Sequence, residues 1–146
     1  VGACIIEPHR HRSIGLGYNG AEPGGPSCLK GECPRGRHYP GLERWPDGDT
    51  RIDVCACGKD WPCPDAVPPG SSYDTGPGTC IASHAEQNAL ADVTSPERLK
   101  GATMYVTEEP CPGCVRQIRN TTDIAAIVWP QGRIDCRRPA VSEQAA

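Results

Sequence analysis

The hydrophobic pattern divides the chain into two ordered ends and an unpatterned middle. Val1 to Ile6 is a short apolar run with β-branched residues, Ser13 to Tyr18 is another, and the polar stretch Glu7 to Arg12 joins them. Short apolar runs bounded by turn residues predict two paired strands. After the middle, Ala85, Ala89, Leu90 and Val93 recur at helical spacing and form one apolar stripe. Ser83 is the expected N-cap of that helix, with Glu86 three residues on at the capping-box spacing, so His84 and Glu86 fall in the first turn. Ala102 to Thr107 has strong β character and predicts a third strand. A second helix is expected to start at Cys111 and Cys114 and to turn Val115 and Ile118 toward the core. Ile124 to Trp129, closed by Pro130, predicts a further strand. The order β-β-(insertion)-α-β-α-β implies a layered α/β fold.

Between Ala21 and Cys80 the periodicity disappears, and Gly25-Pro26, Asp47-Gly48, Pro68-Pro69 and Gly76-Pro77 read as turns. The 17 glycines and 16 prolines of the chain concentrate there, so most of that stretch is expected to be loop. A length of 146 residues fits one domain of roughly 100–200 residues, here spanning 1–146 with an insertion at about 21–80. There is no Phe, so the core must rest on Val, Ile, Leu and Ala with a few Tyr and Trp. The polar tail from Gly132 is expected to fray.

Charge narrows the partners. A formal net charge of -3 and a pI near 5.8 leave no basic footprint for a nucleic-acid polymer. The longest apolar runs fall far short of the ~20 residues of a membrane-spanning helix, and no leader peptide is visible, so a cytoplasmic protein is expected. Ten cysteines would suggest disulfides in an exported protein, but several here have ligand-like spacing, which favours metal.

The strongest chemical signal is His84-Ala85-Glu86 followed by Pro110-Cys111-Pro112-Gly113-Cys114. A Cys-x-x-Cys alone is more often half of a structural zinc knuckle, and a lone His-x-Glu is close to noise. Together, 27 residues apart, they match the pattern of zinc-dependent nucleobase deaminases. A catalytic zinc takes three protein ligands and keeps a fourth position for water, and His84, Cys111 and Cys114 meet that demand. The N-terminal dipole of the second helix is expected to favour both thiolates. Glu86, two residues from His84, can share the cavity without being a ligand and act as the general acid and base of a hydrolytic deamination.

Beyond the site, Val1 to Ile6, Gly15-Leu16-Gly17-Tyr18-Asn19-Gly20, His84 to Leu90 and Lys100 to Val106 with Pro110-Cys111 occur in the same order as in deoxycytidylate (dCMP) deaminases, which the chain resembles. The resemblance covers both ends and fails mainly in the insertion. It implies the three-layer α/β/α cytidine deaminase-like fold, a mixed sheet with helices on both faces. It implies conversion of dCMP and water to dUMP and ammonia, substrate contacts at Asn19 and Ala85, homo-oligomers, and in some members regulation by dCTP and dTTP. Gly17 to Gly20 can equally be a turn, since Asn-Gly is a strong turn dipeptide.

Cys28, Cys33 and Cys80 resemble family cysteines that hold a second, structural zinc, with His38 or a further cysteine to complete the set. Cys55, Cys57 and Cys63 form another cluster, expected to lack a fourth partner of its own, and buried thiols are the alternative for all six. For a nucleotide phosphate Arg35, Arg37, Arg51, Arg116, Arg119 and Arg133 are candidates, with Arg116 nearest the zinc cysteines in sequence. Competing readings are a deaminase of a free or modified (deoxy)cytidine or of single-stranded nucleic acid and, from another class, a structural zinc-binding module.

Overall fold

The computed structural model describes residues 1–27, 32–38, 40–44, 50–55, 57–68, 71–72 and 80–137, with backbone only over 40–44 and 50–53. The strands are β1 (Gly2–Ile6), β2 (Ser13–Tyr18), β3 (Pro40–Arg44), β4 (Thr50–Cys55), β5 (Thr103–Val106), β6 (Ala126–Trp129) and β7 (Gly132–Asp135). The helices are α1 (Ala85–Ala91) and α2 (Pro112–Thr121), with a 3-10 turn at Pro96–Leu99. The chain forms two compact units, Val1–Asn19 with Ser83–Ala146, and Gly20–Ala82.

In the first unit a five-stranded sheet runs in the order β2-β1-β5-β6-β7. Only β5 and β6 are parallel, and α2 supplies the crossover that such a pair requires. Register sets the core. Met104 pairs with Ile5 on one side and Ile127 on the other, and Ile127 pairs with Ile134, so one face carries this apolar row. Ala85 and Ala89 of α1 and Ile118 of α2 join Ile5, Met104 and Ile127 in one buried cluster. Each fully buried Ile or Met there contributes roughly 1.5–3 kcal/mol. Among the described residues both α-helices serve this cluster, and the expected layer on the second face has no helix. That face carries the cross-strand row Leu16, Cys4, Tyr105 and Val128, with Leu16 60% and Tyr105 49% exposed.

Two glycines let α1 approach β2. A Cβ on Gly17 would fall into the backbone of Ala85 and Ala89, and one on Gly15 into the backbone of Ala89. The helix then hydrogen-bonds the strand. Asn88 Nδ2 donates to the Tyr18 carbonyl at 2.7 Å, and the Leu16 N–H donates to Asp92 Oδ2 at 2.9 Å. At the other end of β1, Glu7 takes two contacts from Arg98, at 2.8 and 2.9 Å, which tie the strand to the 3-10 turn. The Arg98 guanidinium holds the Glu7 carboxyl below its ordinary value.

The second unit contains an element not expected from the sequence, the antiparallel hairpin β3–β4, which pairs Pro40 with Cys55 and Arg44 with Thr50. Its buried interior differs in kind. Among the described residues the buried apolar side chains of this unit are Cys33, Cys55 and Cys63, with Arg35 buried beside them in the sequence.

Two further expectations need correction. The N-cap of α1 is His84 rather than Ser83, because Gln87 Oε1 accepts from the His84 N–H at 3.0 Å and so closes the turn one residue later. Gly132–Asp135 does not fray but pairs with β6 as an edge strand. Between α1 and β5, Pro96–Leu99 forms a 3-10 turn that buries Leu99.

Candidate active site and metal centres

The N-termini of α1 and α2 carry the first donor group. His84 caps α1 in an extended conformation, and Cys111 caps α2, its Sγ accepting from the Cys114 N–H at 3.4 Å. Pro112 at the first helical position gives up an N–H that the helix could not have used. The donor atoms of His84, Cys111 and Cys114 all lie within 4.8 Å of one another, with Cys111 Sγ 3.7 Å from His84 Nδ1. With zinc–ligand distances of about 2.3 Å to sulfur and 2.0–2.1 Å to nitrogen, a tetrahedral edge between them is about 3.6 Å. The three residues therefore fit zinc, with one vertex left over.

Glu86 is 4% exposed and lies against Cys114, yet belongs to neither donor group found among the described residues. Burial, then the Glu86 charge and the neighbouring Cys111, push the Cys114 thiol far above its ordinary value. Burial of this thiol acts against the thiolate preference expected from the helix dipole. A divalent cation among these groups would offset it.

Asn19 and Ala85 meet each other. Asn19 Oδ1 accepts from the Ala85 N–H at 3.0 Å, satisfying a helix N-terminal donor that has no partner within the helix. The Ala85 side chain is fully buried in the core, while Asn19 is exposed and its Nδ2 has no hydrogen-bond partner among the described residues. Asn88 and Gln87, which hold α1 to Tyr18 and to Gln117 of α2, were not singled out from the sequence. Their signal is adjacency to the His-x-Glu motif, as a Gln-Asn pair on a helix whose remaining residues apart from Glu86 are apolar.

A cleft of about 650 Å³ beside Cys111 is lined by Arg116 and Arg119 together with Glu109 and Ile134. Arg119 also donates to the Asp135 carbonyl, and Arg133 pairs with Asp135. Arg35 is buried, Arg37 is exposed, and the Arg51 side chain lies outside the described residues.

The second donor group is His38, Cys55, Cys57 and Cys63, again all within 4.8 Å of one another. His38 thus supplies the fourth partner that the three cysteines were expected to lack. A hydrogen bond from the Lys59 backbone holds the Cys57 thiol down to about 6, whereas burial pushes Cys55 up. Of the cysteines expected to hold a structural ion, Cys28 lies outside the described residues, Cys33 is buried and Cys80 is half-buried, and neither of the last two joins a donor group among the described residues.

Residues 1–130 match the family model described as the cytidine and deoxycytidylate deaminase zinc-binding region. The deoxycytidylate deaminase of Mycobacterium phage D29 is 36% identical over 131 residues, covering 90% of this chain and 77% of that protein. Crystal structures of the dCMP deaminase of cyanophage S-TIM5 are also similar. The complex with dCMP and dUMP shows 20% identity and a TM-score of 0.43, and the apo form 16% and 0.41. Each match covers 88% of this chain, which spans 62% and 63% of those two chains. With most of its length matched by the family model and a relative more than a third identical, the chain belongs to the cytidine and deoxycytidylate deaminase family.

Proposed function

We propose that this chain is a zinc-dependent hydrolase that converts dCMP and water to dUMP and ammonia. The observation that carries this reading is the pairing of a three-donor metal site with a carboxylate, Glu86, that is buried beside it without being a donor. A structural site does not need such a carboxylate, and burying one is costly unless it has a task.

His84, Cys111 and Cys114 would hold the ion, which when bound lowers the pKa of a water and readies it for attack. Glu86 would take the proton that an attacking water gives up and hand protons to the ring nitrogen and the departing amine, so that a carbon–oxygen bond replaces the carbon–amine bond, the amine leaves as ammonia and the ring keeps a carbonyl. Asn19 orients the first turn of α1 through the Ala85 N–H, and its Nδ2 is the group suited to the substrate sugar. The Ala85 N–H is already engaged by Asn19, so any substrate contact there is shared with that bond. The exposed Arg116, in the cleft beside Cys111, is the arginine best placed for a phosphate. The choice of a nucleotide monomer is supported by the phage relative and by the acidic balance of the chain.

The same family reading carries homo-oligomers, dCTP and dTTP regulation and a cytoplasmic location as further expectations, together with a structural zinc in the cysteine-rich insertion. No helix among the described residues is long and apolar enough to cross a membrane.

The test is ammonia release from dCMP, CMP, deoxycytidine, dCTP and a cytosine-containing oligonucleotide, with wild type and Glu86→Gln. Wild type should act best on dCMP, and the variant should lose about 10²–10⁴-fold in rate while keeping its metal. Silence of metal-replete wild type on every cytosine compound rejects the enzyme. An unimpaired variant removes Glu86 from its role.

A further inference from the structure

We propose that His38, Cys55, Cys57 and Cys63 form a closed structural zinc site in the Gly20–Ala82 unit. This set shares no residue with His84, Cys111 and Cys114, and the inference does not depend on which base the protein deaminates.

Geometry supports it first. A tetrahedral zinc bound at about 2.3 Å by thiolates and 2.0–2.1 Å by imidazole has sulfur–sulfur edges of about 3.8 Å and sulfur–nitrogen edges of about 3.6 Å. The Cys57 and Cys63 sulfurs are 3.8 Å apart, and Cys63 Sγ is 3.7 Å from His38 Nδ1. Isolated thiol hydrogen bonds would explain either distance alone. They do not require four donors from separate points of the chain to lie mutually within 4.8 Å. Cys55, Cys57 and Cys63 stand as thiols rather than as a disulfide.

The hairpin explains how the set is assembled. Pro40 pairs with Cys55, so the register of β3 and β4 carries His38, two residues upstream, to the end of the hairpin where Cys55 lies. The chain then turns, with the Gly58 N–H donating to the Cys55 carbonyl and the Cys55 N–H to the Lys59 carbonyl, both at 2.8 Å. Gly58 takes φ of 90°, which a side chain would disfavour, and the turn brings Cys57 and then Cys63 back. The Cys57 N–H also points at Cys55 Sγ at 3.5 Å, the kind of outer contact that orients a ligating sulfur.

Need points the same way. Among the described residues the buried apolar side chains of this unit are all cysteines, and the apolar area these residues bury does little against the entropy of ordering a Gly/Pro-rich chain. Four protein donors also leave no vertex for substrate, which makes this a structural rather than a second catalytic ion.

Cys57 provides the test, because it is exposed while Cys55 and Cys63 are buried. In the zinc-replete full chain, mapped alkylation with iodoacetamide should spare Cys57 until a chelator is added. Native mass spectrometry should find two zinc ions in wild type and one in Cys57→Ser, with the second restored in Cys57→His. Cys111→Ser should also hold one zinc, but with Cys57 still protected, which separates this site from the other. Prompt alkylation of Cys57 in the zinc-loaded protein, or two zinc ions retained by both Cys57→Ser and His38→Ala, overturns the proposal. If Cys57→Ser does not fold, the wild-type alkylation decides alone.

Discussion

The unit built from Val1–Asn19 and Ser83–Ala146 buries Ile5, Met104, Ile118 and Ile127 completely, whereas Gly20–Ala82 buries Cys33, Cys55 and Cys63 among its described residues. The first unit is held by apolar area, which is non-directional and spread over many residues. Among its described residues the second has one hairpin, and a lone two-stranded hairpin is at best marginally stable in water. A few side chains that converge on something stronger than dispersion can thus hold a long polar insertion. The difference also separates tasks. The helix termini that hold His84, Cys111 and Cys114 belong to the unit with the apolar core.

The largest effect that could break this contrast is metal removal. Structural zinc contributes about 10–16 kcal/mol in small peptides, as much as a whole domain's stability. On chelation, amide hydrogen exchange should become fast across β3 and β4 while β1, β5 and β6 stay protected. Equal loss in both units, or none in the hairpin, refutes a division between metal-held and core-held parts.

Next comes Gly17→Ala, which forces a methyl group into the backbone of α1. A cost of about 3 kcal/mol or more is expected in denaturant unfolding of the first unit, with the zinc-protected thiols of the second unaffected. A cost under about 0.5 kcal/mol would show that α1 is free to move away. Asn19→Asp is smaller in stability and sharper in function. It keeps the oxygen that accepts from Ala85 and replaces Nδ2, so the unfolding midpoint should hold while KM for dCMP rises. A fall in stability with unchanged KM would make Asn19 purely a helix cap.

The smallest effect is Arg98→Gln. Glu7 is held below its ordinary pKa of 4.5, so its ion pair adds stability that is fully present above that value and is lost as pH falls through the lower folded-state value. The variant should melt below wild type at pH 7, and the gap should close in acid. A gap independent of pH would assign the loss to packing of the Arg98 stem.

Much of the first unit is readable from the chain. β1, β2, β5, β6 and both helices follow from apolar spacing, and His84, Cys111 and Cys114 from motif spacing, because in each case the interacting residues are local or on consecutive elements. The shifts have local causes too. Ser83 yields the cap to His84 because Gln87 reaches back to that residue's N–H. β7 is hidden because Gly132-Arg133-Ile134-Asp135 offers one apolar residue, Ile134, and is defined by pairing with β6.

The second unit is less readable. Asp47-Gly48 between two short runs is a hairpin signal, but Pro40, Gly41 and the charged residues around it mask the alternation that would support it. His38 is far from Cys55 in sequence, and only the strand register shows that they meet.

The attachment of α1 to β2 has a consequence for association. β2 is a terminal strand of the sheet, and such edges invite another chain to add a strand. Here the Leu16 N–H is spent on Asp92 and the Tyr18 carbonyl on Asn88. An incoming strand would find these two sites already occupied, so the helix that positions His84 and Glu86 also guards this border against strand-by-strand polymerisation.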